Sequence, residues 1–287
     1  MLAVFSAVFS GLLTFLQKVG SVRGYNSSLL NSYSNGFSAL IGFVVAGFLE
    51  GYGGFSWSLL GFGFISGLIY IIGVNFRMDA LRYIDATILL PLHKFVSPLI
   101  VVVIGVTFFE ELLSTKEWWG IILGMFVPLM LISSSEKLRQ RNLKKGLWLM
   151  LFSAVFAAVN VAINKESTDI FTSVLLFMFV TNASSALVGS VIYRFRKKDS
   201  SSLVPEVCHF DSKLISLAVL SGVFQVISFA TLLLAFANNG PLAVVYTIHS
   251  LYILIPISLA IIFYKEHWNF RKVTAIVLSI LALFLMK

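Results

Sequence analysis

Lys94 and His249 are basic residues placed in the middle of long apolar runs, Ile84–Phe109 and Pro241–Tyr264. An ionisable group surrounded by hydrocarbon is costly, so such residues mark substrate, ion or proton sites. At 1.5 Å per helical residue, Lys94 lies roughly 15 Å into its run and His249 roughly 12 Å into its own. Both depths are near the middle of a bilayer. Helical spacing puts Thr87, Pro91, Lys94 and Pro98 on one face, and Tyr246, His249, Tyr252 and Pro256 on another. The prolines free backbone carbonyls that need water, a side chain or a ligand. Tyr70, Gln225 and Asn160 add polar groups at similar depth, as do Asn35 and Asn182. The expected chemistry is non-covalent: Lys94 and His249 hold an anionic or zwitterionic group. Tyr70, Gln225, Tyr246, Tyr252 and Asn160 line the remainder of the site.

Blander roles exist for each residue. His93 and His249 are equally readable as interhelical hydrogen-bonding residues, and the asparagines as packing contacts. Lys94 is compatible with a neutral, desolvated amine or with snorkelling to the interface. Lys18 and Lys165 close the first apolar run of each half, and Glu111 and Glu266 the fourth. They are candidate gating or structural ion pairs, or simply solvated helix ends.

Absences narrow the chemistry further. No Asp or Glu lies centrally in any apolar run, which disfavours export of cationic drugs, the alternative transport reading. No P-loop, HExxH or GxSxG motif occurs, so neither ATP drive nor an enzyme is expected. An integral-membrane enzyme using His93, His249, Asp79 and Asp85 is the main rival class, and a passive channel the third. The lone cysteine, Cys208, excludes an internal disulfide and a thiolate metal cluster. No cofactor or metal is expected.

These residues must be positioned by membrane helices. The chain is 58% hydrophobic and 12% charged, with mean hydropathy +0.94, too little charge to clothe a soluble domain. Apolar runs of about 20 residues, the length a bilayer requires, recur throughout. They fall at Leu2–Val19, Ser28–Leu49, Trp57–Phe76, Ile84–Phe109 and Glu117–Ser133, then Gly146–Lys165, Phe171–Arg194, Lys213–Ala237, Pro241–Tyr264 and Phe270–Met286. The fourth exceeds a bilayer's thickness and is expected to tilt or to bend near Pro91 or Pro98. Leu2–Phe15 lacks a basic leader and a cleavage signal, so it is expected to remain as the first helix.

The ten runs form two sets of five. Phe5-Ser6-Ala7-Val8-Phe9 recurs as Phe152-Ser153-Ala154-Val155-Phe156, and Lys18, Asn35 and Gly42 fall on Lys165, Asn182 and Gly189, all 147 residues apart. Later the offset is 155: Ser66-Gly67 falls on Ser221-Gly222, Tyr70 on Gln225, Lys94 on His249, Glu111 on Glu266. An odd number of helices per repeat turns the second half upside down, the inverted-repeat design of many secondary transporters. The expected fold is therefore an all-α polytopic membrane protein of ten transmembrane helices in two five-helix inverted-topology repeats. Their bounds are 1–135 and 146–287, joined by a basic loop, 136–145.

Loop charge orients this arrangement. The odd-to-even loops carry Lys18, Arg23, Arg77, Arg82, the cluster from Lys137 to Lys145, Arg194 to Lys198, Lys213, Lys265, Arg271 and Lys272. The other side has Lys116, Lys165 and Lys287. The positive-inside bias then places both termini outside. The net charge of +8 is explained by this bias and by anionic headgroups, without nucleic acid. The expected partners are a small-molecule substrate and the lipid bilayer, with protons the candidate coupling ion.

The duplicated pattern, the paired Lys18 and Lys165, the paired Glu111 and Glu266, and last helices opening with Trp119-Gly120-Ile121-Ile122-Leu123-Gly124 and Val273-Thr274-Ala275-Ile276-Val277-Leu278 resemble the drug/metabolite transporter superfamily, specifically its ten-helix EamA-type permeases. The resemblance covers essentially the whole chain. It departs at Ser10-Gly11, where the family's first helix usually carries Trp-Gly, and in the termini, which the family commonly keeps inside. The resemblance implies a secondary transporter of a small metabolite, with an amino acid or small organic anion favoured by Lys94 and His249. The compact loops suit a prokaryotic plasma membrane.

Overall fold

The computed structural model describes residues 1–23, 25–132, 142–199, 212–256, 258–259 and 270–286. Glu266, Cys208 and most of the expected connecting loop lie outside the described residues. The described elements are helical: α1 Leu2–Val22, α2 Ser27–Leu49, α3 Trp57–Ala80, α4 Ala86–Phe108 and α5 Thr115–Met130. They continue with α6 Leu143–Ile170, α7 Val174–Asp199 and α8 Ser212–Ala237. α9 opens at Leu242–Ser250, tightens into a 3₁₀ turn at Leu251–Ile253 and runs to Pro256, and α10 spans Phe270–Leu285. Among the described residues, seven helices (α1 to α4 and α6 to α8) are long and apolar enough to cross a membrane. Lipid-facing Phe48, Trp57 and Phe284 are largely exposed, while the interior mixes large apolar side chains such as Phe177 and Phe236 with buried serines and asparagines. The molecule is an integral, multi-pass membrane protein.

Capping explains several boundaries. Ser56 accepts from the Leu59 N–H at 3.1 Å to start α3, and a Ser114–Glu117 capping box starts α5 two residues before its expected bound. Asn142 accepts from the Lys145 N–H at 3.3 Å, so α6 begins ahead of the expected Gly146. It also outlasts the expected Lys165, because Lys165 pairs with Asp169 one turn on, at 3.3 Å. Pro91 and Pro98 both sit within α4.

Packing respects the 147/155 correspondence. α1 lies against α8 as α6 lies against α3; α2 packs on α7 and α8 as α7 packs on α2 and α3; α4 touches α6 as α9 touches α1. Every one of these contacts joins an element of one half to an element of the other. Two corresponding glycines permit close approaches between the halves. A Cβ on Gly67 would stand 2.4 Å from the Thr181 carbonyl oxygen, and one on Gly222 would stand 2.9 Å from the Phe37 Cβ. Close backbone approach at small residues is the usual way helices associate where water provides no drive.

Gly67→Val is expected to lower stability by about 1–3 kcal/mol through overpacking against α7. A drop in the thermal midpoint of the detergent-purified protein checks this, with Gly61→Val, whose Cβ would meet open space, as the control.

Candidate functional site

Lys94 stands eight residues into α4, about 12 Å, and His249 seven residues into α9, about 10 Å. The Lys94 ammonium lies 4.3 Å from the centroid of the Tyr252 ring, a cation–π contact. The His249 ring centroid is 5.5 Å from that of Tyr252 and 6.0 Å from that of Tyr246. Tyr252 thus forms a wall shared by the two basic side chains. Pro98 lacks the N–H that would bond the Lys94 carbonyl, and Pro256 likewise for the Tyr252 carbonyl.

Four of these polar residues are held by other helices. Tyr246 Oη meets Ser97 Oγ at 3.0 Å. Gln225 Nε2 donates to Asn35 Oδ1 at 2.6 Å and to Asn182 Oδ1 at 3.0 Å, joining α8 to α2 and α7. Asn160 Nδ2 donates to the Ser66 carbonyl at 2.8 Å and to Ser66 Oγ at 2.9 Å, joining α6 to α3. His249 Nδ1 lies 2.9 Å from Ser6 Oγ.

Lys94, His249, Tyr70, Gln225, Tyr246, Tyr252 and Asn160 all border one cavity of about 200 Å³. It extends from mid-depth toward the end of the bundle where α1 and α3 finish, reaching Gln17, Asn31 and Arg77. We call this the basic end, and the opposite one, which holds the N-terminus, the terminal end. Among the described residues lining the cavity, none is Asp or Glu.

Arg77 was not foreseen as a lining residue. Its charge reads as loop charge, whereas the structure places it in the last turn of α3, because that helix runs on to Ala80. Ser10, Thr14 and Thr181 also line the cavity and carry no sequence signal beyond polarity within an apolar run.

The four charged residues at run ends occupy different settings. Lys165 is buried; its ammonium reaches Asp169 and the Phe236 carbonyl, the latter at 3.4 Å. Lys18 lies in the last turns of α1, and Glu266 is outside the described residues. Beyond α4, Glu110 adopts a left-handed conformation (φ 51°) and the Glu111 N–H bonds back to the Gly105 carbonyl at 3.1 Å. That turn delivers the Glu111 carboxylate to the first turn of α9, where it accepts from the Leu242 N–H and, at 3.1 Å, from the Ala243 N–H. At the same end the Glu50 carboxylate accepts from the Leu175 N–H of α7, at 3.2 Å to either oxygen. Two first-half carboxylates therefore cap second-half helices, where the dipole favours negative charge.

The model of the EamA-like transporter family matches residues 1–133 and again 144–287. The chain belongs to that family, within the drug/metabolite transporter superfamily, and is a membrane transporter. No curated protein matches it. A solved structure described only as "Crystal structure of protein" is similar over 99% of this chain and 97% of that one, with a TM-score of 0.76 at 15% identity. At that identity the likeness speaks for the fold alone.

Glu111→Gln is expected to weaken the cap on α9 and to cost about 1–2 kcal/mol. Hydrogen exchange should then accelerate at the Leu242 and Ala243 amides, with the α4 amides unchanged.

Proposed function

We propose that this chain is a secondary transporter moving a small polar metabolite, an amino acid or small organic anion, by alternating access. The observation carrying the reading is a mid-depth cavity bordered by Lys94 and Arg77 with no carboxylate among its described lining residues. An anionic group supplied by the substrate neutralises that charge in a medium where it is otherwise poorly solvated. His249, Tyr246 and Tyr252 pack against the rest of the molecule, and Tyr70, Gln225 and Asn160 set its orientation.

The architecture behind this reading is ten transmembrane helices in two inverted five-helix repeats, 1–135 and 146–287. The 147/155 offsets, the paired family matches and the reciprocal packing of the halves support it. The cavity extends toward the basic end, while Glu50, Glu111 and Lys165 tie helices together at the terminal end. These ties are the proposed gate: they break when the terminal end opens. Protons are the proposed coupling ion, and the charge asymmetry sets both termini outside.

A ligand that binds only the native state stabilises it by RT ln(1 + [L]/Kd), about 2.7 kcal/mol at a hundredfold excess over Kd. Screening metabolites by thermal shift is expected to single out anionic or zwitterionic compounds for the wild type, with Lys94→Met losing the effect. Cations that stabilise both proteins equally overturn the reading and favour drug export. Orientation is checked separately. In a Cys208→Ser background, Gly53→Cys at the terminal end is expected to react with an impermeant maleimide added outside intact cells.

A further inference from the structure

The hydrogen bonds around His249 decide which ring nitrogen carries its proton. Ser6 Oγ stands 2.8 Å from the Ser228 carbonyl oxygen, which can only accept, so the Ser6 proton lies there. Ser6 Oγ can then meet His249 Nδ1, 2.9 Å away, only as an acceptor. Nδ1 therefore bears the hydrogen. Ser228 Oγ donates to the Ser6 carbonyl at 3.0 Å, and Ser10 Oγ, 2.6 Å from Ser228 Oγ, donates to that hydroxyl in turn. Every hydroxyl proton in the group is thereby committed. None remains for His249 Nε2, 3.5 Å from Ser10 Oγ, so this nitrogen keeps its lone pair.

A related bracket occurs with the halves exchanged, around His93, which is the neighbour of Lys94, the residue that corresponds to His249. Ser153, which corresponds to Ser6, donates to the carbonyl of Gly73, which corresponds to Ser228, at 2.8 Å. It accepts from His93 Nε2 at 3.1 Å. The outcomes differ, though. His93 is 2% exposed, and its remaining nitrogen is sealed in the protein without a partner. Both histidines border the cavity, but His249 alone has its ring against Tyr252, the ring that also carries the Lys94 ammonium.

We propose that Ser6 is a positioning residue that holds His249 as the Nδ1–H tautomer, so that Nε2 offers a hydrogen-bond acceptor beside Lys94. The cavity accordingly selects anions that carry an N–H or O–H donor next to the charge, a 2-amino- or 2-hydroxycarboxylate over the unsubstituted acid. This selectivity rests on the reading of the cavity as the substrate site. A site built around a hydrogen-bonding group rejects the analogue that lacks the matching group, because the buried acceptor is left unpaired.

Two measurements on the full chain test the proposal. The first is long-range ¹H–¹⁵N correlation of imidazole-labelled protein, with His249 assigned through its loss in His249→Phe. The wild type is expected to show a protonated Nδ1 and an unprotonated Nε2, and Ser6→Ala to shift the proton toward Nε2. A wild-type Nε2–H tautomer overturns the assignment. The second compares affinities for lactate, alanine and propionate. The wild type is expected to prefer the first two by about tenfold, the worth of one hydrogen bond. Ser6→Ala and His249→Phe should lose that preference, with the propionate affinity of Ser6→Ala retained within about threefold. Preference that survives in both variants overturns the selectivity. If none of the three acids binds the wild type, the substrate-site reading falls and the selectivity with it. The tautomer is decided by the spectrum alone.

Discussion

Inside hydrocarbon a polar group has no water to fall back on, and this structure is arranged around that constraint. Its small hydroxyl residues bond mostly to backbone carbonyls, and the bonds between helices repeatedly cross from one half to the other. Ser6 of α1 and Ser228 of α8 each donate to the other's carbonyl. Ser184 and Ser185 of α7 donate to the carbonyls of Gly63 and Gly67 in α3, at 3.2 and 3.1 Å. The glycines let the backbones come close enough for these bonds, so packing and polar satisfaction are one requirement rather than two.

The constraint also separates parts that can move from parts that cannot. At mid-depth, parting Ser6 from Ser228 leaves two hydroxyls and two carbonyls unpaired in a dry interior, each a desolvation cost of about 1–3 kcal/mol. At the terminal end, parting Glu111 from the first turn of α9 exposes a carboxylate and two amides at the edge of the bilayer, where water replaces the lost bonds. Alternating access on the proposed reading therefore exchanges ties at the ends and preserves those in the middle. The middle acts as the fulcrum.

Much of this was legible in the sequence because the membrane simplifies the code. A lysine within an apolar run is conspicuous, and the 155-residue offset pairs it with His249 without any structure. The same offset pairs Tyr70 with Gln225, and the structure brings all four to one cavity. Arg77 was harder to place. Near the end of an apolar run its charge reads as topology, and only the continuation of α3 to Ala80 turns it inward. The cap that Glu111 places on α9 was equally out of reach. It depends on a left-handed turn at Glu110, a residue type that gives no local sign of that conformation. The serine brackets escaped because serine is common in helices, and its importance lies in which carbonyl it finds.

On the proposed inverted-repeat architecture, duplication followed by divergence explains why a two-fold scaffold suits an asymmetric ligand. The shared framework places a side chain at each of two equivalent depths, and the halves then differ where they face the cavity. One presents an ammonium at Lys94, the other an imidazole at His249; one an aromatic ring at Tyr70, the other an amide at Gln225. The scaffold pairs remain alike, with Ser6 matching Ser153, Gly67 matching Gly222 and Asn35 matching Asn182. Several pairs at which the halves hold each other are identical, whereas Lys94/His249 and Tyr70/Gln225, which face the cavity, are not. On the proposed function, such a site grips the charged end of a small molecule with one half and tests the neighbouring donor with the other.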